Sequence, residues 1–149
     1  MKFSNRTDID SPPHTVFARL ADFDRWETAA RDRDIDIARL DAGTDPAQAR
    51  WRVAFTFRGR GRSSEVKVIG FEQDQQIAMK GNSDGVVGVV RVELVEPDPG
   101  RTRMHVSIDL TPETIKARLL VQSLKLAKTR IEQRLGKRLG KFARRVEAG

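Results

Sequence analysis

Residues 9–27 read IDSPPHTVFARLADFDRWE, and the parsing of the rest of the chain depends on this run. Ser11 offers an N-cap, and Pro12 suits a first helical turn, where its missing amide hydrogen costs nothing. Val16, Phe17 and Leu20 then return on one apolar face. A second short helix is expected within residues 22–30, with Phe23 and Trp26, three positions apart, sharing its buried side. Upstream, residues 3–9 can form an opening strand, so the chain begins strand, helix, helix.

Beyond residue 30 the apolar period changes from helical to alternating. Ile35, Ile37 and Arg39 lie on one face of a strand that stops near DAGTDP. WRVAFTFRG alternates clearly, with Trp51, Val53, Phe55 and Phe57 opposite Arg50, Arg52, Thr56 and Arg58. Residues 64–69, 75–80, 86–95 and 103–110 supply further strands, with breaks expected at GFEQD, GNSDG and EPDPG. The short spacings predict antiparallel meanders, because a parallel crossover needs roughly a dozen residues or more. The last strand turns Met104, Val106, Ile108 and Leu110 one way, and Arg103, His105, Ser107 and Asp109 the other.

After Leu110 comes TPETIKARLL, in which Thr111 can cap with Pro112 at the first helical position. Leu120, Leu124, Ala127, Ile131, Leu135, Leu139, Phe142 and Val146 recur at steps of three or four. The pattern predicts one amphipathic helix of about 30 residues, about 45 Å at 1.5 Å per residue. Gly136 and Gly140 interrupt it and are read as marks of a fraying tail rather than of a close backbone approach. This segment also carries the charge. Residues 113–149 hold eleven Lys and Arg against three Glu, whereas residues 1–112 are nearly neutral and the whole chain is +7.

The 149 residues fit one domain spanning 1–149. No stretch approaches the roughly 18 apolar residues of a membrane span, and MKFSNRTDID has no apolar core of the signal-peptide kind, so a cytoplasmic location is the default expectation. The chain has no Cys and only two His, His14 and His105, far apart in sequence. That composition removes disulfides, thiolate nucleophiles and Cys-based metal sites, and neither a metal site nor a cofactor is expected.

The order of strand, two short helices, six strands and long terminal helix resembles the START-like superfamily, the SRPBCC or polyketide cyclase/dehydrase-like group, over essentially the whole chain. IDSPPHTVFARLADFDRWE is similar to the family opening, with Asp22 and Trp26 four apart; the second Trp and Pro that follow in many relatives are replaced here by ETAARD. The resemblance implies an α+β helix-grip fold, in which a curved seven-stranded antiparallel sheet surrounds a long C-terminal helix. It further implies an apolar cavity between them. On that basis Trp51, Phe55, Phe57, Met79, Val90, Val92, Met104, Val106, Ile108, Leu120 and Leu124 are the ligand-lining candidates. Their alternation places them on apolar faces independently, although the same stripes would also fill a closed core.

The favoured function is binding or transport of a small hydrophobic molecule, a lipid, isoprenoid or polycyclic compound. The resemblance keeps a polyketide cyclase/dehydratase-like enzyme open as an alternative, with His105 or cavity acids such as Glu65 and Asp109 assisting proton transfer. No catalytic motif transfers residue by residue, and His105 falls on the polar face of its strand. In RGRGR, Arg58, Arg60 and Arg62 offer forked donors for an anionic head group, with a solvated hairpin as the plainer reading. Lys137, Arg138 and Lys141 on the terminal helix, with Lys125, Lys128, Arg134, Arg144 and Arg145, are candidates for an anionic membrane surface, with a solvated outer face of a core-packed helix as the plainer reading. A nucleic-acid partner ranks lower, because exposed aromatics and a reading element are missing from the pattern. Monomer and homodimer both remain open.

Overall fold

The computed structural model describes residues 1–149. In chain order the elements are β1 (Lys2–Ile9), α1 (Pro13–Leu20), α2 (Phe23–Arg31), β2 (Asp36–Arg39), a 3-10 turn (Pro46–Gln48), β3 (Arg50–Phe57), β4 (Arg60–Glu72), β5 (Gln76–Ser83), β6 (Val86–Val95), β7 (Thr102–Pro112), α3 (Ile115–Leu126) and α4 (Lys128–Ala148). All seven strands form one antiparallel sheet ordered β1-β7-β6-β5-β4-β3-β2. Only the β1–β7 pairing joins strands distant in sequence. The helix-grip architecture is therefore present, with the helices gathered against one face of the sheet.

Several local expectations change for identifiable reasons. Ser11 does not cap α1. Pro12 takes the N-cap position in an extended conformation, with Pro13 opening the helix, because a residue that precedes proline is pushed out of the helical region. The Ser11 carbonyl instead accepts a hydrogen bond of 2.7 Å from the Thr102 hydroxyl. The same rule acts at the other end of the sheet: β7 continues through Pro112, paired with Val86, and Thr114 becomes the cap of α3 by accepting from the Ala117 N–H at 3.0 Å. β4 likewise runs past Gly70 to Glu72. A register shift between Val68 and Gly70 leaves Ile69 unpaired and exposed.

The terminal helical region is long, as the pattern predicts, but Ala127 divides it at φ −101° and ψ 13°. No Gly or Pro marks that break. The halves serve different strands, α4 lying along β1 and α3 meeting β7. Along β1, Glu132 Oε2 accepts from the Ser4 N–H at 2.9 Å and Glu147 Oε2 accepts from the Asp10 N–H at 2.8 Å. These carboxylates occupy donors on the free edge of the strand, which blunts it against pairing with another chain.

The main core lies between β1, the ends of β5–β7 and helices α1 and α4. Ile9, Val16, Phe17, Ile77, Leu94, Met104, Val106, Leu139, Ala143 and Val146 are all buried there. A smaller cluster of Phe23, Ala49, Trp51 and Val68 seals the other end beneath α2. Trp26 does not join Phe23 in it. Its ring stacks on Phe142 at 6.0 Å, its Nε1 donates to the Leu20 carbonyl at 3.0 Å, and 42% of the residue stays exposed. Glu27, one full turn after Phe23, takes the inward position instead.

Gly136 also departs from the fraying expectation. A Cβ there would lie 2.6 Å from Asn5 Nδ2, which donates to the Glu132 carbonyl at 2.8 Å, so α4 and β1 approach closely at this point. At Gly140 an added Cβ meets only the mobile end of Arg144, at 3.4 Å. Opposite outcomes are expected from the same substitution. Gly140→Ala should gain about 0.5–1 kcal/mol from helix propensity, whereas Gly136→Ala should lose about 1 kcal/mol net through overpacking and the disturbed Asn5 bond; thermal unfolding of the two variants reads the difference.

Candidate functional site

Two tight hairpin turns meet at one end of the sheet. Arg58–Gly59 and Asp84–Gly85 each place two consecutive residues at positive φ, at 54° and 72° and at 51° and 78°, the geometry of the turn that matches strand twist. The start of α3 packs on the second turn. The Gly85 carbonyl accepts from the Glu113 N–H at 2.7 Å, and a Cβ at Gly85 would collide with Thr114 Oγ1 at 2.9 Å. Glycine is thus required there for both conformation and approach.

Between these turns and α3 lies an open cleft of about 500 Å³, lined by Arg58, Arg60, Arg62, Asp84, Lys116, Ala117, Leu119, Leu120 and Ser123. Four cations face one carboxylate. Arg58 Nη2 donates to Ser123 Oγ at 3.0 Å, and Arg62 is ion-paired with Asp84 while its Nε donates to the Phe57 carbonyl at 3.3 Å. Both guanidinium groups also sit over the Phe57 ring, at 5.4 and 5.5 Å. The side chains of Arg60 and Lys116 have neither a hydrogen bond nor an ion pair within the protein, which leaves their charge free for an anion.

Behind this mouth runs the inward face of the sheet. Residues directly opposite in antiparallel strands share a face, so the pairs Leu94↔Met104, Val92↔Val106 and Val90↔Ile108 point the same way, as do Ile77↔Val92 and Met79↔Val90. Of the apolar candidates, Met104 and Val106 are buried in the main core with Val92 packed against them, Trp51 is buried in the smaller cluster, and Met79 touches both. Phe55, Phe57, Ile108, Leu120 and Leu124 are half-buried, and Val90 keeps 38% of its surface exposed. Leu120 alone among them lines the cleft. Half of the apolar stripe is therefore packed core, and the half nearer α3 remains open to contact.

A second polar constellation lies at the opposite end of that face. Arg39 Nη1 donates to Glu27 Oε2 at 3.1 Å and its Nε to Asp41 Oδ1 at 2.6 Å, while Trp51 Nε1 donates to Glu27 Oε2 at 3.3 Å. The Arg39 guanidinium also rests 5.2 Å from the Trp51 ring. The Arg39 bond and the backbone N–H groups of Arg50 and Gly43 hold the Asp41 carboxyl far below the usual carboxylate range, and the same pairing raises Arg39. The Arg103 guanidinium lowers Asp8 likewise, through bonds of 2.8 and 3.2 Å. A depressed carboxylate stabilises the fold at pH values above the unfolded pKa of about 3.9, and this contribution disappears as pH falls through the lower folded value. The midpoint of thermal unfolding is therefore expected to fall steeply below about pH 4, and less steeply in Asp41→Asn; equal slopes would remove Asp41 from the acid response.

The remaining candidates lie elsewhere. His14 and His105 are exposed, and His105 points outward, paired in register with Arg6 and Glu93. Glu65 is paired with Arg50 at 3.1 Å and Asp109 lies 3.7 Å from the N-terminal ammonium, both well exposed. They do not converge. Lys137, Arg138 and Lys141 are exposed on α4, apart from the cleft that holds Arg58, Arg60 and Arg62. Sequence reasoning missed Asp84, Lys116 and Ser123 as companions of those arginines. It also missed Ser83, whose buried Oγ has no hydrogen-bond partner. The turn dipeptide Asp84-Gly85 was the available signal for the first of these.

The family described as polyketide cyclase/dehydrase and lipid transport matches residues 1–147. The Zhui aromatase/cyclase from a Streptomyces species is similar in structure, with a TM-score of 0.71, 13% identity and coverage of 99% of this chain and 93% of that one. TTHA0849 from Thermus thermophilus gives a TM-score of 0.70 at 13% identity, over 99% and 98% of the two chains. A START superfamily protein from Mycobacterium smegmatis gives 0.58 at 16% identity, over 91% and 97%. No curated protein matches by sequence. At these identities the structural likenesses establish the fold, and the family and fold together support hydrophobic-ligand binding in a general sense. With the family pattern extending over nearly every residue and the helix-grip sheet in place, the chain belongs to the polyketide cyclase/dehydrase and lipid transport family.

Proposed function

We propose that the protein binds a small, mainly apolar molecule such as a lipid, isoprenoid or polycyclic compound between the α3 half of the sheet and α3, with an anionic end in the arginine-lined cleft. The observation carrying this reading is Val90. It sits near the middle of the inward face, in register with the half-buried Met79 and Ile108, yet 38% of it is accessible, so the sheet is not sealed by the helices there. An apolar ligand covering this region would gain about 25 cal/mol per Å² of surface removed from water. Phe55, Phe57, Ile108, Leu120 and Leu124 supply the rest of the apolar wall. Arg60 and Lys116, with no partners of their own, are suited to neutralise a carboxylate or phosphate end.

Native mass spectrometry of the freshly purified protein, with extraction of any bound compound, tests the reading directly. Titration with a fluorescent fatty acid should be saturable at one site per chain. Arg60→Gln should weaken that binding by about tenfold, the value of one charge-assisted bond, and change the affinity for a neutral fluorescent sterol little. A clean apoprotein mass together with no saturable titration by either probe would overturn the proposal.

A further inference from the structure

Helix α3 is apolar on two opposite sides. Ala117 and Val121 are buried, and Leu120 and Leu124 are half-buried beside them. On the far side Ile115 is 80% exposed, Leu119 63% and Leu126 92%. At 3.6 residues per turn these last three positions fall within about 40° of one another, so they form a single stripe along the outer surface rather than scattered exceptions. Gln122, also exposed, completes it. Lone exposed leucines need no explanation, but three large aliphatic side chains aligned on one helix are a contiguous apolar feature of the kind that marks a contact surface.

The flanks of the stripe show what it fits. Lys116 and Ser123 border it on one side and Arg118 and Lys125 on the other, and Lys128 follows at the start of α4; no acidic residue occurs between Thr114 and Arg130. None of Lys116, Arg118, Lys125 and Lys128 is engaged in an ion pair. A second copy docking stripe to stripe would bring these like charges together. A nucleic acid would satisfy the cations but would leave the aliphatic side chains in water. An anionic bilayer satisfies both, since the aliphatic row enters the acyl boundary and the lysines and arginines remain among the head groups.

We infer that the outer stripe of α3, Ile115, Leu119 and Leu126 with its flanking cations, is a docking surface for anionic membranes. The terminal basic tail is secondary to it, because α4 spends its apolar face on the core, burying Leu139, Ala143 and Val146. Docking by α3 sets the rim of the cleft against the lipid, because Leu119 and Lys116 belong to both. The inference does not depend on what the cleft holds: it concerns the outer face, and its test reads vesicle association alone.

The test is flotation of the full-length protein with vesicles of phosphatidylcholine containing about 30% phosphatidylglycerol, compared with phosphatidylcholine alone. Association is expected with the anionic vesicles only, decreasing as salt rises. Ile115→Gln and Leu126→Gln combined, neither residue lining the cleft, should reduce the partition coefficient by about tenfold or more with unchanged thermal unfolding. Both sites are solvent-exposed, so the variant is expected to fold. Three outcomes would each overturn the inference: no association with anionic vesicles at low salt; association unaffected by the double variant, which would assign it to α4; or a concentration-dependent dimer that the double variant abolishes without any vesicle binding.

Discussion

Arg39→Leu is expected to lower the unfolding free energy by about 3 kcal/mol and the unfolding midpoint by roughly 10 °C. The guanidinium is the only cation bonded to both Glu27 and Asp41, and it lies against the Phe23 and Trp51 rings. Removing it leaves the Glu27 carboxylate, in a residue 8% exposed, with the Trp51 Nε1 bond and a longer contact of 3.7 Å to Arg31. The loss falls at the lower end of the range for a broken buried pair, because 21% of the Arg39 side chain still meets water and Asp41 retains its backbone donors. A double variant, Glu27→Leu with Arg39→Leu, should recover about 1 kcal/mol or more relative to Arg39→Leu, since two apolar groups leave no stranded charge. Chemical denaturation of the two single variants and the double closes the cycle; strict additivity would show that the pair is not coupled.

Phe17→Ala is expected to cost about 3–5 kcal/mol, enough to remove much of the stability of a domain of this size. Phe17 is 1% exposed and meets the Phe71 ring edge to face at 5.2 Å, within the cluster that joins α1 to β5–β7 and α4. The cavity left behind would be bounded by strands and helices fixed by their own hydrogen bonds, so little collapse can offset it. Phe17→Leu should recover more than half of the loss. An alanine variant within about 1 kcal/mol of the parent would mean that α1 is not a structural part of the core.

The two predictions differ in how visible their grounds were in the sequence. Phe17 could be placed by the helical spacing of Val16, Phe17 and Leu20 alone, and both Val16 and Phe17 are buried. The alternation of Trp51, Val53, Phe55 and Phe57 and of Met104, Val106, Ile108 and Leu110 likewise reported true sheet faces. Arg39 fell on the correct face by alternation, but nothing in one-dimensional spacing could show that Glu27 and Asp41 would meet it. Glu27 stands four residues after Phe23 in a short helix, and that spacing does not by itself give a carboxylate buried partners. It turns inward because Phe23 and Trp51 bring α2 over the end of the sheet, where a carboxylate can bond both Trp51 and Arg39.

Local chemistry with a short range was thus determined by the sequence itself: the element order, the antiparallel pairing, the two hairpin turns, the apolar faces and a basic terminal segment. These follow from side-chain period, proline and glycine conformations and short connections, each acting within a few residues. The tertiary structure alone decided which apolar positions are core and which stay open, that Arg58, Arg60 and Arg62 share a cleft with Lys116 and Ser123, and that α3 and α4 part at Ala127. It also decided that Gly136 is a contact point with Asn5 and that Ile115, Leu119 and Leu126 face outward. Burial is the reason for the division. A residue's period names the face it shares with its neighbours, but whether that face is covered depends on which distant element packs there, and such pairings are settled by the whole core folding together.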